Sequence, residues 1–307
     1  MLDPSLAEQV AAAPGTEPAL VEKEWHIVRA IGVIATLDHG AARPVFSGGT
    51  SLSVALGLIK RFSEDIDFKV VMPESANPSQ GRAQRRAFRE RVLAALVAAD
   101  FQLVGEARKA SRFFSADFVY PNRFDPVASL RPYLQIEMTF DPPALPPVMR
   151  PIRSLVALAQ KREPEIAAFP CVDPVETAAD KLSALAWRVC ARDRTASQDD
   201  PTLVRHLHDP AALESHIARA PAFPSLVAMA AVADTGRGGG RCPPEPAARL
   251  ALMIERLAGD PMWADEYARF VTDKSFATVE ERISFAAALN ALKRLVRIYQ
   301  EHNQTDH

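Results

Sequence analysis

The chain has 307 residues, 48% of them hydrophobic, and a formal net charge of -2. That length suits about two domains with real cores, and the near-neutral balance excludes a protein that binds polyanions over its whole surface. The longest apolar runs, such as 92–99, are too short to cross a bilayer, and no charged-then-apolar leader opens the chain. Cys171, Cys190 and Cys242 are too scattered for a metal knuckle or a disulfide framework, so a cytoplasmic protein with no membrane partner is expected.

In chain order, Ile27, Ile31 and Ile34 recur at helical spacing and predict a helix over 20–38. Val45-Phe46 reads as a short strand running into Gly48-Gly49, with a helix expected over 50–59. Ile66, Phe68 and Val70 then alternate with Asp65, Asp67 and Lys69, which is strand periodicity. A Pro/Ser/Asn loop over 73–81 precedes a helix over 82–99 with Phe88, Val92 and Leu96 on one face. Two more strands are predicted. Phe114, Ala116, Phe118 and Tyr120 share a face in 112–120, while Leu134, Ile136, Met138 and Phe140 do so in 133–140, with Glu137 on the opposite, polar face. The proline-rich segment 141–151 breaks this pattern. From Asp173-Pro174-Val175-Glu176, a helix start, the chain reads as helical except for a Gly-rich loop at 235–246. An α+β fold is therefore expected, a mixed sheet flanked by helices over 1–150 followed by a helical part over 151–307.

Charge is uneven. Between Arg82 and Arg112 eight basic residues face three acids, an excess that could attract phosphates or form a solvated helix face.

The chemistry concentrates in 47–68. Asp65 and Asp67 point to one face of a strand, roughly 6–7 Å apart, where a hard divalent cation such as Mg²⁺ or Mn²⁺ would offset their repulsion. Gly48 and Gly49, between a strand and a helix, let backbone N–H groups approach a phosphate. Thr50 or Ser51 can add a hydroxyl, and Lys60 and Arg61 a positive charge. A phosphate cradle and a metal platform in one short stretch suit nucleotidyl or phosphoryl transfer.

The stretch SGGTSLSVALGLIKRFSEDIDF (47–68) resembles the signature of the AbiEii/AbiGii toxin nucleotidyltransferases, including MenT-type members, within the DNA polymerase beta-like superfamily. The resemblance extends to VEKEWHIVRAIGVI (21–34), ETAADKLSAL (176–185) and RHLHDPAAL (205–213), about two thirds of the chain. It implies a catalytic domain over 1–150 and a helical domain over 151–307 that completes the cleft. It implies transfer of a nucleotide from an NTP to an acceptor, which in MenT-type members is the 3′ end of tRNA, and a cognate antitoxin encoded nearby. Gly48, Gly49 and Thr50 match the phosphate-binding motif, Ser63 the serine before the first aspartate, and Asp65 and Asp67 the metal pair. Glu137 falls where the superfamily places a third acid, ligand or base. Lys181 matches a helix lysine that holds the triphosphate. Asp209 matches the last aspartate of a further motif, although Pro210 after it also makes it a good helix cap; His206 stands where the family usually has aspartate. Glu64, one place out of phase with the aspartates, is expected to be dispensable. Two other readings stay open: a small-molecule or protein hydroxyl as acceptor, and a nucleotide- or RNA-binding protein without turnover.

Overall fold

The structure is a computed structural model, and it describes residues 2–305 except 76, 126, 128 and 129, with side chains to 303. Residue 76 of the expected 73–81 loop thus lies outside the described residues. The chain divides into two compact units, Met1–Asp173 and Pro174–His307.

The first unit opens with α1 (Pro4–Ala12), capped by Asp3 Oδ1, which accepts from Ser5 N at 3.0 Å. Next come α2 (Pro18–Thr36) and β1 (Arg43–Ser47). One helical turn, α3 (Gly48–Thr50), passes into a π-helical turn over Ser51–Ala55, where Leu56 N–H reaches the Ser51 carbonyl at 3.0 Å. The helix expected over 50–59 is therefore only these two turns. Leu58 N–H folds back on the Leu52 carbonyl at 2.9 Å, which ends it.

The unit continues through β2 (Asp65–Val71), α4 (Pro78–Ala98), β3 (Gln102–Lys109), β4 (Phe113–Val119) and β5 (Leu134–Thr139). It closes with β6 (Val148–Ile152), α5 (Leu155–Ala159) and β7 (Ile166–Cys171). Asn77, not a later residue, caps α4, its side chain accepting from Gln80 N at 2.9 Å, so this helix starts four residues before the expected 82.

These strands form one mixed sheet in the order β3-β4-β5-β2-β1-β7-β6. β2 runs antiparallel to β1 and parallel to β5. Alternation along β2 and β5 sends Ile66, Phe68, Val70, Ile136 and Met138 to one face, where Phe88, Val92 and Leu96 of α4 and Ile27, Ile31 and Ile34 of α2 cover them. Burying each such side chain contributes about 1.5–3 kcal/mol, so the two helices are fixed on that face and the aspartates are left on the other. Strand β6 begins within the proline-rich segment and β7 follows it, so 141–151 lies inside this unit and the unit boundary falls at Asp173. Pro151 is tolerated because β6 is an edge. At the other edge, β3 is exposed along nearly its whole length and shifts register against β4 between Val104 and Arg108.

The second unit consists of α6 (Pro174–Ala191), α7 (Arg205–Ile217), α8 (Phe223–Ala233), α9 (Pro246–Gly259), α10 (Met262–Lys274) and α11 (Phe285–Thr305). Its core includes Leu182, Leu185, Leu207, Leu213, Met253 and Leu292. A 3-10 turn over Pro201–Val204 runs directly into α7, so Pro210 sits inside that helix. Asp209 is accordingly a mid-helix residue and not the cap that Pro210 suggests. No described helix is long and apolar enough to cross a membrane.

Candidate nucleotidyl-transfer site

β1 and β2 pair Ser47 with Asp67, which places the turn after β1 directly beside the second aspartate. Gly48 turns the chain there with φ +75. A Cβ on it would stand 2.9 Å from the Asp67 Cγ, so only glycine lets the carboxylate lie against the turn. A Cβ on Gly49 would meet Arg61 Nη2 at 2.6 Å and Ser63 Oγ at 3.0 Å. The double glycine thus gathers Asp67, Arg61 and Ser63 around one turn. Arg61 is buried, and its Nη1 donates to the Phe62 carbonyl at 2.9 Å.

Thr50 is also buried, and its hydroxyl donates to the Asp65 backbone carbonyl. In this structure the hydroxyl expected to meet phosphate braces the fold: its proton ties the turn to the start of β2. Asp65 and Asp67 lie half-buried on the face of β2 away from the helices.

Glu137 pairs in register with Asp67 across β2 and β5, and with Ser115 across β4 and β5. Neighbouring strands lie about 4.8 Å apart, so the three acids share one face of the sheet. Burial first, then the charge of Asp65, raises the Glu137 pKa; Arg108 and a hydrogen bond from Ser115 oppose this. An acid shifted this way accepts a proton near neutral pH more readily than an ordinary carboxylate, which suits a base.

A residue that the sequence did not single out completes this face. Arg131 Nη2 pairs with Asp65 Oδ1, and its Nη1 donates to Gln135 Oε1 at 3.1 Å. Gln135 Nε2 in turn donates to Asp117 Oδ1 at 2.9 Å. Glu64, expected to be dispensable, holds this arrangement in place. Its Oε2 is 2.5 Å from Lys23 Nζ and accepts from Arg131 N at 2.9 Å. Lys23 also donates to the Arg131 carbonyl at 2.7 Å. The phase of the strand placed Glu64 away from the aspartates correctly, but its carboxylate neutralises a lysine whose side chain is only 2% exposed.

Among the described residues no group of three or more His, Cys, Asp or Glu side chains is disposed to hold a metal ion. Glu137 is brought to the face of the aspartates but not into a three-donor set with them. The donors do fit a hard cation in kind: Asp65 and Asp67 are oxygen ligands on one face, and Asp65 already takes a cationic partner in Arg131.

In the second unit, Lys181 Nζ lies 2.8 Å from Asp209 Oδ2, and His208 Nδ1 is 3.3 Å from Asp209 Oδ1. Asp209 is fully buried, so the carboxylate is a neutralised core group. Burial first, then Arg205 and Lys181, push the His206 pKa well down, which keeps that ring neutral.

The family model described as Nucleotidyl transferase AbiEii toxin, Type IV TA system, matches residues 35–291. The chain belongs to the AbiEii family. AbiEii proteins are nucleotidyltransferase toxins of type IV toxin–antitoxin systems, and membership makes nucleotidyl transfer the expected activity and an antitoxin the expected partner. Among solved structures the chain is similar to MenT4, a nucleotidyltransferase toxin from Mycobacterium tuberculosis H37Rv, at 20% identity and a TM-score of 0.51. That likeness covers 97% of this chain and 99% of MenT4, and it shows the shared fold. No curated protein matches the sequence.

Proposed function

We propose that this AbiEii protein transfers a nucleotide from an NTP to a hydroxyl of RNA, with the 3′ end of tRNA as acceptor, and that it acts in the cytoplasm under control of a cognate antitoxin. The observation that carries the reading is the close packing of Gly48 on Asp67 and of Gly49 on Arg61 and Ser63, which puts a glycine turn with two polar side chains against one of the paired carboxylates.

In this reading the triphosphate lies on the Gly48-Gly49 turn, with the Ser63 hydroxyl and the Arg61 guanidinium as donors. Lys181 is retained as a triphosphate ligand on its match to the family's helix lysine. Asp65 and Asp67 would hold Mg²⁺ or Mn²⁺, which supplies charge neutralisation at the phosphates. Glu137 takes the proton of the acceptor hydroxyl. The hydroxyl oxygen forms a bond to the α-phosphorus, the α–β bridging bond breaks, and pyrophosphate leaves.

The test is incubation with each α-labelled NTP and total RNA, followed by separation of RNA from small molecules and protein. Label in RNA from the wild type and not from Asp67→Ala is the expected result. Label confined to small molecules or protein would reject RNA as acceptor.

A further inference from the structure

Five of the eight basic residues of segment 82–112 line one open groove at the end of the sheet far from the aspartates, while Arg91, Arg108 and Arg112 pair elsewhere. Its walls are Arg82, Arg85, Arg86 and Arg89 of α4 and Lys109 and Ser111 at the β3–β4 turn, around a volume of about 520 Å³. An adjoining cavity of about 360 Å³ shares Arg85 and Ser111 and reaches Val71, the last residue of β2. Asp65 is the first residue of β2, so the groove stands roughly 20 Å from it at about 3.3 Å per strand residue.

The groove is built rather than merely charged. Arg89 Nη2 donates to the carbonyls of Ala110 at 2.7 Å and Phe113 at 3.1 Å, and its guanidinium lies 4.6 Å from the centre of the Phe140 ring. These neutral partners fix the hairpin to α4 without cancelling the charge. Among the described residues Glu90 is the only acid in the wall, and it is paired with Arg86 at 2.8 Å.

We propose that this groove is an exosite for the phosphate backbone of a structured RNA. The claim rests on RNA being the acceptor and adds where its body docks. Arginine forks match phosphate oxygens, and several along one helix face match a row of them. A protein partner would want apolar or aromatic anchors at its centre, and none of the exposed large apolar side chains, such as Val97, Leu103 or Met149, lines the groove. Its distance from Asp65 is too great for an NTP or a short oligonucleotide held at the aspartates. A folded RNA with its 3′ end there can reach it.

The full-length protein and an Arg82→Ala/Arg85→Ala/Arg86→Ala variant would be compared by fluorescence anisotropy on an RNA hairpin of about 12 base pairs with a single-stranded 3′ tail, across a salt series. Arg89 is left in place because it holds the hairpin, and alanine suits the helix, so the variant keeps its fold. The expected result is at least a tenfold loss of hairpin affinity, and a log–log salt slope less steep by about 2. Transfer of label to a six-nucleotide RNA with the same 3′ sequence stays unchanged. Unchanged hairpin affinity and slope would overturn the proposal, as would equal loss of transfer to hairpin and hexanucleotide. Lost capture of a co-expressed antitoxin with hairpin affinity intact would overturn it too, by making the surface a protein interface. If the wild type binds the hairpin through these arginines but labels no RNA, the groove stands and the acceptor assignment falls.

Discussion

Gly48 and Asp67 share one space: the missing side chain of the first is filled by the carboxylate of the second. Gly48→Ala therefore faces two costs at once, a positive φ and a clash with the aspartate. The expected outcome is a loss of nucleotidyl transfer of about a hundredfold or more with a stability loss of only about 1–3 kcal/mol. Labelled-NTP transfer and urea unfolding on the same preparation check it. Full activity in this variant would remove Asp67 from the reaction.

Arg131 and a divalent cation compete for Asp65. Arg131→Gln leaves the carboxylate without its positive partner. Mn²⁺ affinity, read by water-proton relaxation without NTP, is expected to tighten about tenfold, in keeping with the ~1.5–3 kcal/mol of a charge-assisted hydrogen bond. Weaker binding would mean that Arg131 orients Asp65 for the metal instead of displacing it.

Lys23 and Glu64 form a pair buried deeply enough that one partner cannot stand alone. Lys23→Met and Glu64→Gln are each expected to cost about 3–5 kcal/mol, and the double variant clearly less than their sum. Urea unfolding of the four proteins measures this. Strict additivity would show that the two charges act independently.

Glu24 sets a pH dependence. Its carboxylate accepts from Leu155 N at 3.1 and 3.2 Å, yet burial, helped by nearby Glu165, raises its pKa from 4.5 to about 8. The folded chain therefore holds a proton that the unfolded chain has lost between pH 4.5 and 8. Unfolding releases a proton in that window, so stability falls as pH rises, by at most ~1.4 kcal/mol per unit from this group. Glu24→Gln should flatten the fall, as seen by thermal melts from pH 5 to 9. An unchanged slope would place the dependence on other groups.

The strands beside the site were legible because one of their faces is buried. Alternation marks β2 and β5 for this reason and puts Asp65 and Asp67 on one face and Glu137 on the polar face of its own strand, while joining the two strands took the family resemblance. β3 lacks that signal since both its faces meet solvent, and β6 and β7 hide behind Pro151 and Pro170. The glycines marked the turn, but a sequence cannot show that the Thr50 hydroxyl donates to a backbone carbonyl. Arg131 was beyond reach. It stands 66 residues from the aspartate it pairs with and belongs to no motif. The Glu64 contacts were not legible because strand phase tells which way a side chain points, not whether a buried lysine waits there.

The uneven edge at β3 bears on how the protein behaves in a crowded cell. An outer strand with free N–H and C=O groups invites another chain to add itself as the next strand. Leu103 and Val104 are exposed on β3 and would strengthen such an addition. The register shift just after them bends the ladder, and Glu106, Arg108 and Lys109 follow at once. A stranger could match only the first few residues before meeting a kink and a row of charges. The sheet is thereby kept at seven strands, and the same charged end of the hairpin that discourages strand addition supplies Lys109 to the arginine groove.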